Sequence, residues 1–288
     1  MPITDESLSI FQRSPQIASK RIIRPKDSKL QQRPTTTMTY VENFKDGWDV
    51  LHHLITHLAR VGIYCEQDLP FNSRVLDYEP GTGIWTIELC RAIGENGGKI
   101  YGYPASKLQP EKVNLENLCF LLKGENNMWE QQKNFDLIHT RVLPGDVRDW
   151  GGFYEEAHRH LNPGGFLEIE ALNLELFCDC AIPTLDPNLL LNYLERSSMD
   201  TGKQHLNFET TEELLMKAGF INIKKRIIEL PINPWDKENN HRRELGRFCN
   251  LSLQFILKTR EFAPPGVNKR PPALEGIYYP ETRAYCTL

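Results

Sequence analysis

The sequence has no CxxC pair, no apolar run near the ~18 residues of a membrane span and no strong excess of charge, and each absence narrows its function. Its 7 cysteines, at 65, 90, 119, 178, 180, 249 and 286, form an odd set with no legible secretory leader ahead of them. A disulfide framework is therefore not expected, and the thiols read as reduced and intracellular. Cys178-Asp179-Cys180 is too closely spaced for the common zinc arrangements and has no His nearby, so no metal is expected. A formal net charge of −4 gives no global attraction to nucleic acid. Internal repeats and Ser-His-Asp or Cys-His nucleophile constellations are also missing, which removes solenoids and the common covalent hydrolases. A cytoplasmic protein with no nucleic acid and no membrane among its partners is expected.

With 40% hydrophobic residues, 288 residues suffice for one large core. Residues 1–40 mix Ser, Pro, Thr and Gln with Arg13, Lys20, Arg21, Arg24, Lys26, Lys29 and Arg33 and show no apolar periodicity. They are expected to form a poorly ordered basic arm, solvated or engaged with a protein partner. Residues 41–262 carry the periodic patterns, and 263–288 form a Pro-rich, irregular segment.

Helix spacing of Trp48, Leu51, Leu54, Ile55 and Leu58 predicts an amphipathic helix over Glu42 to Val61. Strands are predicted at Ser73–Asp77, Gly98–Tyr103, Asn117–Leu122, Phe135–His139 and Gly165–Ala171, with helices at Ile84–Ile93 and Phe153–Leu161 and a tight turn at Pro163-Gly164-Gly165. Further on, helices are predicted at Leu189–Thr201, from a start at Thr210-Thr211-Glu212-Glu213 to the stop at Gly219, and at Glu244–Lys258, with a sixth strand over Phe220–Leu230. This alternation predicts an α/β fold with a mainly parallel, doubly wound sheet and helical additions, whose ligand crevice lies at the carboxyl ends of the early strands. Val75-Leu76-Asp77-Tyr78-Glu79-Pro80-Gly81-Thr82-Gly83-Ile84-Trp85 supplies the first strand, a small-residue turn and the start of a helix, the arrangement that turns backbone N–H groups toward a ligand.

Four segments then resemble a known family. They are Trp48-Asp49-Val50-Leu51-His52-His53-Leu54, the Val75 to Trp85 loop, Phe135-Asp136-Leu137-Ile138-His139-Thr140-Arg141 with Asp149-Trp150 behind it, and Leu161-Asn162-Pro163-Gly164-Gly165-Phe166-Leu167-Glu168. In order and spacing they are similar to the fungal LaeA-like, class I S-adenosylmethionine (SAM) dependent methyltransferases, over roughly Tyr40 to Arg247. The resemblance implies a Rossmann-like class I methyltransferase fold, SAM as cofactor and a place in secondary metabolism.

Departures from the family lie at the cofactor. Against Asp-x-Gly-x-Gly-x-Gly the chain reads Asp77, Glu79, Gly81 and Gly83, so a carboxylate replaces the first glycine. Pro104 stands where an acid binds the ribose hydroxyls, and it has neither a carboxylate nor a backbone N–H. Lys123 aligns with the acid on the adenine side. Each lost charge-assisted hydrogen bond costs ~1.5–3 kcal/mol, so two such losses weaken binding by roughly two to four powers of ten. Weakened or lost SAM use is the expectation.

Candidate chemistry gathers on two strands. His139, at the end of the fourth, is placed to shuttle a proton, and Arg141 to hold an anionic oxygen. Glu168 and Glu170 share a face of the fifth strand by period two, and Glu170, nearer its carboxyl end, is the candidate base. His52 and His53 are adjacent on a helix and so point apart, one packed and one exposed. His158 and His160 are expected at a solvated helix end. Three functions follow: a repurposed small-molecule tailoring enzyme performing a cyclisation or isomerisation, an active SAM-dependent methyltransferase, or a non-catalytic regulator using the basic arm.

Overall fold

The computed structural model describes residues 36–59, 69–94, 98–122, 129, 134–142, 147–178, 206–258 and 284–287, all within the unit Thr35–Leu288. The basic arm to residue 35, Lys123, the predicted Leu189–Thr201 helix and most of the Pro-rich segment lie outside the described residues. Five strands, β1 (Arg74–Tyr78), β2 (Lys99–Ala105), β3 (Leu118–Leu122), β4 (Phe135–Val142) and β5 (Leu161–Ala171), form one sheet in the order β3-β2-β1-β4-β5. Every pairing in it is parallel. The chain steps outward from β1 to β3 and then crosses back to β4, so β1 and β4 flank the reversal point where α/β sheets bind ligands.

Alternation along these strands divides the interior. Val75, Ile100 and Leu137 face α2 (Ile84–Ile93), which covers them with Trp85, Leu89 and Cys90. The opposite parity, including Leu76, Tyr101 and Ile138, packs against Trp150, Phe153, Tyr154 and Ala157 of α3 (Trp150–His160). Helix α2 has the predicted bounds, with Gly83 and Gly94 at its ends, both at positive φ. Helix α3 starts three residues earlier than predicted because Asp149 accepts a hydrogen bond from Gly152 N–H and so caps it. Helix α1 (Thr36–His53) continues into a π turn at Leu54–Leu58 and packs along α5 (Asn240–Lys258).

Several expectations are corrected. Pro163-Gly164-Gly165 does not precede β5 but lies within it, where the pairing with β4 shifts between Phe135 and Leu137. The sixth strand shrinks to β7 (Glu229–Pro231), since Ile221 and Ile227 alternate correctly but remain 82% and 61% exposed, with no surface to cover them. The chain's end is not wholly irregular: β8 (Ala284–Thr287) pairs antiparallel with β6 (Asn173–Cys178) and β7 in a second sheet, ordered β6-β8-β7. Helix α4 (Thr211–Ala218) ends as expected, at Gly219 with φ of 104°.

The glycine loop is pinned from α1. A Cβ added to Gly81, whose φ is +54°, would stand 2.2 Å from the Trp48 indole nitrogen. Gly81→Ala is therefore expected to destabilise the protein by about 2–4 kcal/mol, adding left-handed strain to overpacking. Urea unfolding checks this: a change within about 0.5 kcal/mol would show that the loop is not held by this contact.

Candidate functional site

Three residues of the loop after β1 take left-handed backbone angles, Glu79 at 57°, Gly81 at 54° and Gly83 at 80°. Two are glycines, for which this is inexpensive, but Glu79 holds the shape at a cost of about 1–3 kcal/mol. Its N–H donates to the Tyr103 carbonyl at 2.7 Å, and Gly83 N–H donates to the Pro80 carbonyl at 2.8 Å. Thr82 Oγ1 donates to Asp49 of α1 at 2.6 Å, and Gln109 Nε2 donates to the Gly81 carbonyl at 2.5 Å. The Phe120 ring lies so close over Gly83 and Gly102 that a Cβ on either would meet it at 2.5 Å. The glycine-loop shape therefore survives the missing glycine, and Gln109 and Phe120 pack against it.

Glu79 also acts on its aromatic neighbours. Burial first, and then the Glu79 charge, push the Tyr78 phenol up to about 12 and raise that of Tyr103. Tyr78 stacks on Trp129 at 5.8 Å and lies 4.9 Å from the Phe153 ring. The carboxylate thus stands beside an aromatic cluster at the strand ends.

Beneath the loop, one face of the sheet changes from apolar to ionic toward the strand ends. Period two carries Val75 to Asp77 on β1, Leu137 to His139 and Arg141 on β4, and Phe166 to Glu168 and Glu170 on β5. Asp77 and Glu168 are thereby register neighbours of His139, and Glu170 is that of Arg141. Asp77 accepts from Thr86 Oγ1 at 2.5 Å and lies 2.9 Å from His139 Nδ1. Trp85 stacks on the His139 imidazole at 3.6 Å with planes 4° apart. Glu170 lies 3.8 Å from His139 Nε2 and accepts from Arg141 Nε at 2.5 Å.

The guanidinium extends this chain to α1. Arg141 Nη1 lies 2.6 Å from His52 Nδ1 and Nη2 donates to Thr56 Oγ1 at 3.3 Å. Arginine has no acceptor atom, so His52 Nδ1 accepts and its ring is neutral. On its other side His52 Nε2 is 3.0 Å from Glu88 Oε2 of α2, which also faces His57.

Protonation in this cluster follows from burial set against pairing. Burial alone would lower His139, but its bonds and charges with Asp77 and Glu170 outweigh it and push the imidazole up to about 9. Burial works against the Glu170 carboxylate too, yet Arg141 first and then His139 bring it down to about 2. Burial raises Glu168 to about 7, only partly offset by His139 and Arg141. His52 falls to about 4 through burial and then the Arg141 charge, in agreement with its acceptor role. Asp77 and Glu170 thus balance His139 and Arg141, while Glu168, half-buried with one oxygen lacking a hydrogen-bond partner, exchanges its proton near neutrality.

Of the residues singled out from sequence, Asp77, His139, Arg141 and Glu170 are brought together, but as one enclosed cluster. His139 is 0% exposed and sealed beneath Trp85, so it does not face an open crevice. Glu79, Gly81 and Gly83 form the loop above it, and Pro104, next to last in β2, follows a cis Tyr103–Pro104 peptide. His52 is packed and His53 exposed, as helical geometry requires. His160 is corrected: it is buried, between the Glu156 carbonyl at 2.8 Å and the Trp129 carbonyl at 2.5 Å, and not at a solvated end. Sequence reasoning noted Glu168 but gave it no role. Gln109 and Glu88 carried no local signal, and Trp85 was read only as the close of the loop motif, because their partners lie far away in the chain.

Comparison with known proteins agrees with this architecture. Residues 49–225 match the methyltransferase domain family. The secondary metabolism regulator LAE1 of Cochliobolus heterostrophus is 31% identical over 231 residues, covering 76% of this chain and 73% of that protein. The protein-methionine methyltransferase laeA of Emericella nidulans is 30% identical over 233 residues, covering 77% of this chain and 60% of its own length, so this chain spans about three fifths of that relative. Among solved structures, phosphoethanolamine N-methyltransferase 2 of Haemonchus contortus in complex with S-adenosyl-L-methionine aligns over 88% of this chain and 56% of its own, at 15% identity and a TM-score of 0.44.

Because His139 binds its proton more tightly folded than unfolded, its contribution to stability is complete below pH ~6.5 and is lost as pH rises through about 9. Denaturant unfolding at pH 6 and pH 9.5 is expected to show a loss on the order of 1–3 kcal/mol, and His139→Asn should flatten that slope. Equal slopes in both proteins would remove His139 as the group responsible.

Proposed function

This chain belongs to the methyltransferase domain family, on its LaeA-like branch, and from that membership we propose a methyltransferase-like tailoring enzyme of fungal secondary metabolism, acting on a small organic substrate with weakened use of SAM. The observation that carries the second half is Glu79. The loop keeps the left-handed backbone of a glycine cradle, but a carboxylate projects from its first position beside two phenols. At the end of β2, Pro104 offers no side-chain acceptor for ribose hydroxyls, and Phe120 and Gln109 pack on the loop itself. The residues present do not suit tight binding of SAM.

A cyclisation or isomerisation moves a proton between atoms of one substrate and needs no group donor. Glu168 is the side chain best suited to take and return that proton near neutral pH, with His139, Arg141 and Glu170 setting the field around it. Methyl transfer is the second reading, favoured by the retained loop shape and by the relative named as a protein-methionine methyltransferase.

Calorimetric titration with SAM separates the two. Wild-type protein is expected to bind with a dissociation constant well above the micromolar range, and Glu79→Gly to tighten binding by about ten- to a hundredfold. Micromolar or tighter binding by wild type would make methyl transfer the better account.

A further inference from the structure

Away from the strand ends, ligand-type atoms converge where α1 meets α2. His52, His57 and Glu88 each present a donor atom, and these atoms lie within 4.8 Å of one another. In an ideal α-helix residues five apart point about 140° away from each other, so His52 and His57 would not share a face. The helix avoids this by widening. After His53 it enters the π turn Leu54–Leu58, closed by Ala59 N–H to the Leu54 carbonyl at 2.8 Å. With more residues in the turn the two imidazoles come to one side, their centroids 5.9 Å apart and their planes at 87°. Such single π turns within α-helices occur frequently at functional sites.

The spacing is that of ligands around an ion. His52 Nε2 lies 3.0 Å from Glu88 Oε2, and His57 Nε2 lies 3.3 Å from the same oxygen. Atoms held at 2.0–2.1 Å by a tetrahedral zinc ion stand about 3.3 Å from one another. With Nδ1 accepting from Arg141, the His52 proton sits on Nε2 and faces Glu88 Oε2, and a cation entering between them takes the place of that proton. His52 is 1% exposed and the His57 side chain 46%, so the group is fixed on one side and open to water on the other.

We propose that His52, His57 and Glu88 bind a divalent transition-metal ion of the zinc type, with water at the fourth, exposed position. Two imidazoles and one carboxylate suit zinc, copper or nickel, and are too few oxygens for calcium or magnesium. A metal on His52 Nε2 moves the ring proton to Nδ1, so uptake breaks the Arg141 Nη1 bond to His52; the Thr56 hydroxyl, 3.4 Å away, accepts from Nδ1–H, and Arg141 keeps Glu170 and Thr56. The ion would clasp α1 to α2, and with them both sides of the glycine loop.

The test uses the full chain, stripped with a chelator and titrated with Zn2+ against a chromophoric competitor and separately with Co2+. One equivalent should bind, Co2+ should show the visible bands of a four-coordinate ion, and Zn2+ should raise Tm. His57→Ala and Glu88→Gln, at positions exposed enough to leave the fold intact by circular dichroism, should each weaken binding at least about tenfold and abolish the rise in Tm. Absence of uptake by wild type, or uptake unchanged in both variants, overturns the site.

Discussion

A buried guanidinium decides how the amino-terminal helices lie on the sheet. Arg141 donates to a carboxylate from the neighbouring strand, to a neutral imidazole on α1 and to a hydroxyl one turn further along. Every one of these contacts is enclosed, so removing one partner leaves an uncompensated charge inside, a change that costs about 3–5 kcal/mol in comparable settings. The cluster is stable because Asp77 and Glu170 match His139 and Arg141 in number and because the pairs alternate in sign along the sheet. Glu168 is the member left outside this balance, and for that reason its proton is the labile one.

Function in this scaffold depends on the difference between backbone shape and side-chain chemistry. The loop after β1 shows that the shape can persist when one of its glycines is replaced, since hydrogen bonds to Tyr103, Asp49 and Gln109 hold it. The chemistry offered to a nucleoside does not persist along with it, because Pro104 has no side-chain carboxylate to present. Family membership fixes the first of these and leaves the second to individual residues.

Much of the fold was legible because the signals that set it are local. Alternation along β5 put Glu168 and Glu170 on one face, and the apolar patterns marked β1, β4 and α2, whose register then brings Asp77, His139 and Arg141 to the same side. What could not be read was non-local or broke periodicity. The second sheet joins Asn173–Cys178 to Ala284–Thr287, more than a hundred positions away, with no pattern to announce the pairing. Phe220–Leu230 alternated like a strand but lacked a surface to cover. The meeting of His52 with His57 depends on a π turn, which a regular helical period hides, and the enclosure of His139 depends on Trp85 arriving from α2.

Trp48 and Gly81 bear on how such loops are read across relatives. With an indole filling the space a methyl group would need, a side chain at Gly81 clashes with Trp48, whereas shortening Trp48 leaves a cavity over the loop. A glycine preserved for this reason testifies to packing against a helix. Its survival in a lineage is therefore silent about whether the ancestral cofactor is still in use.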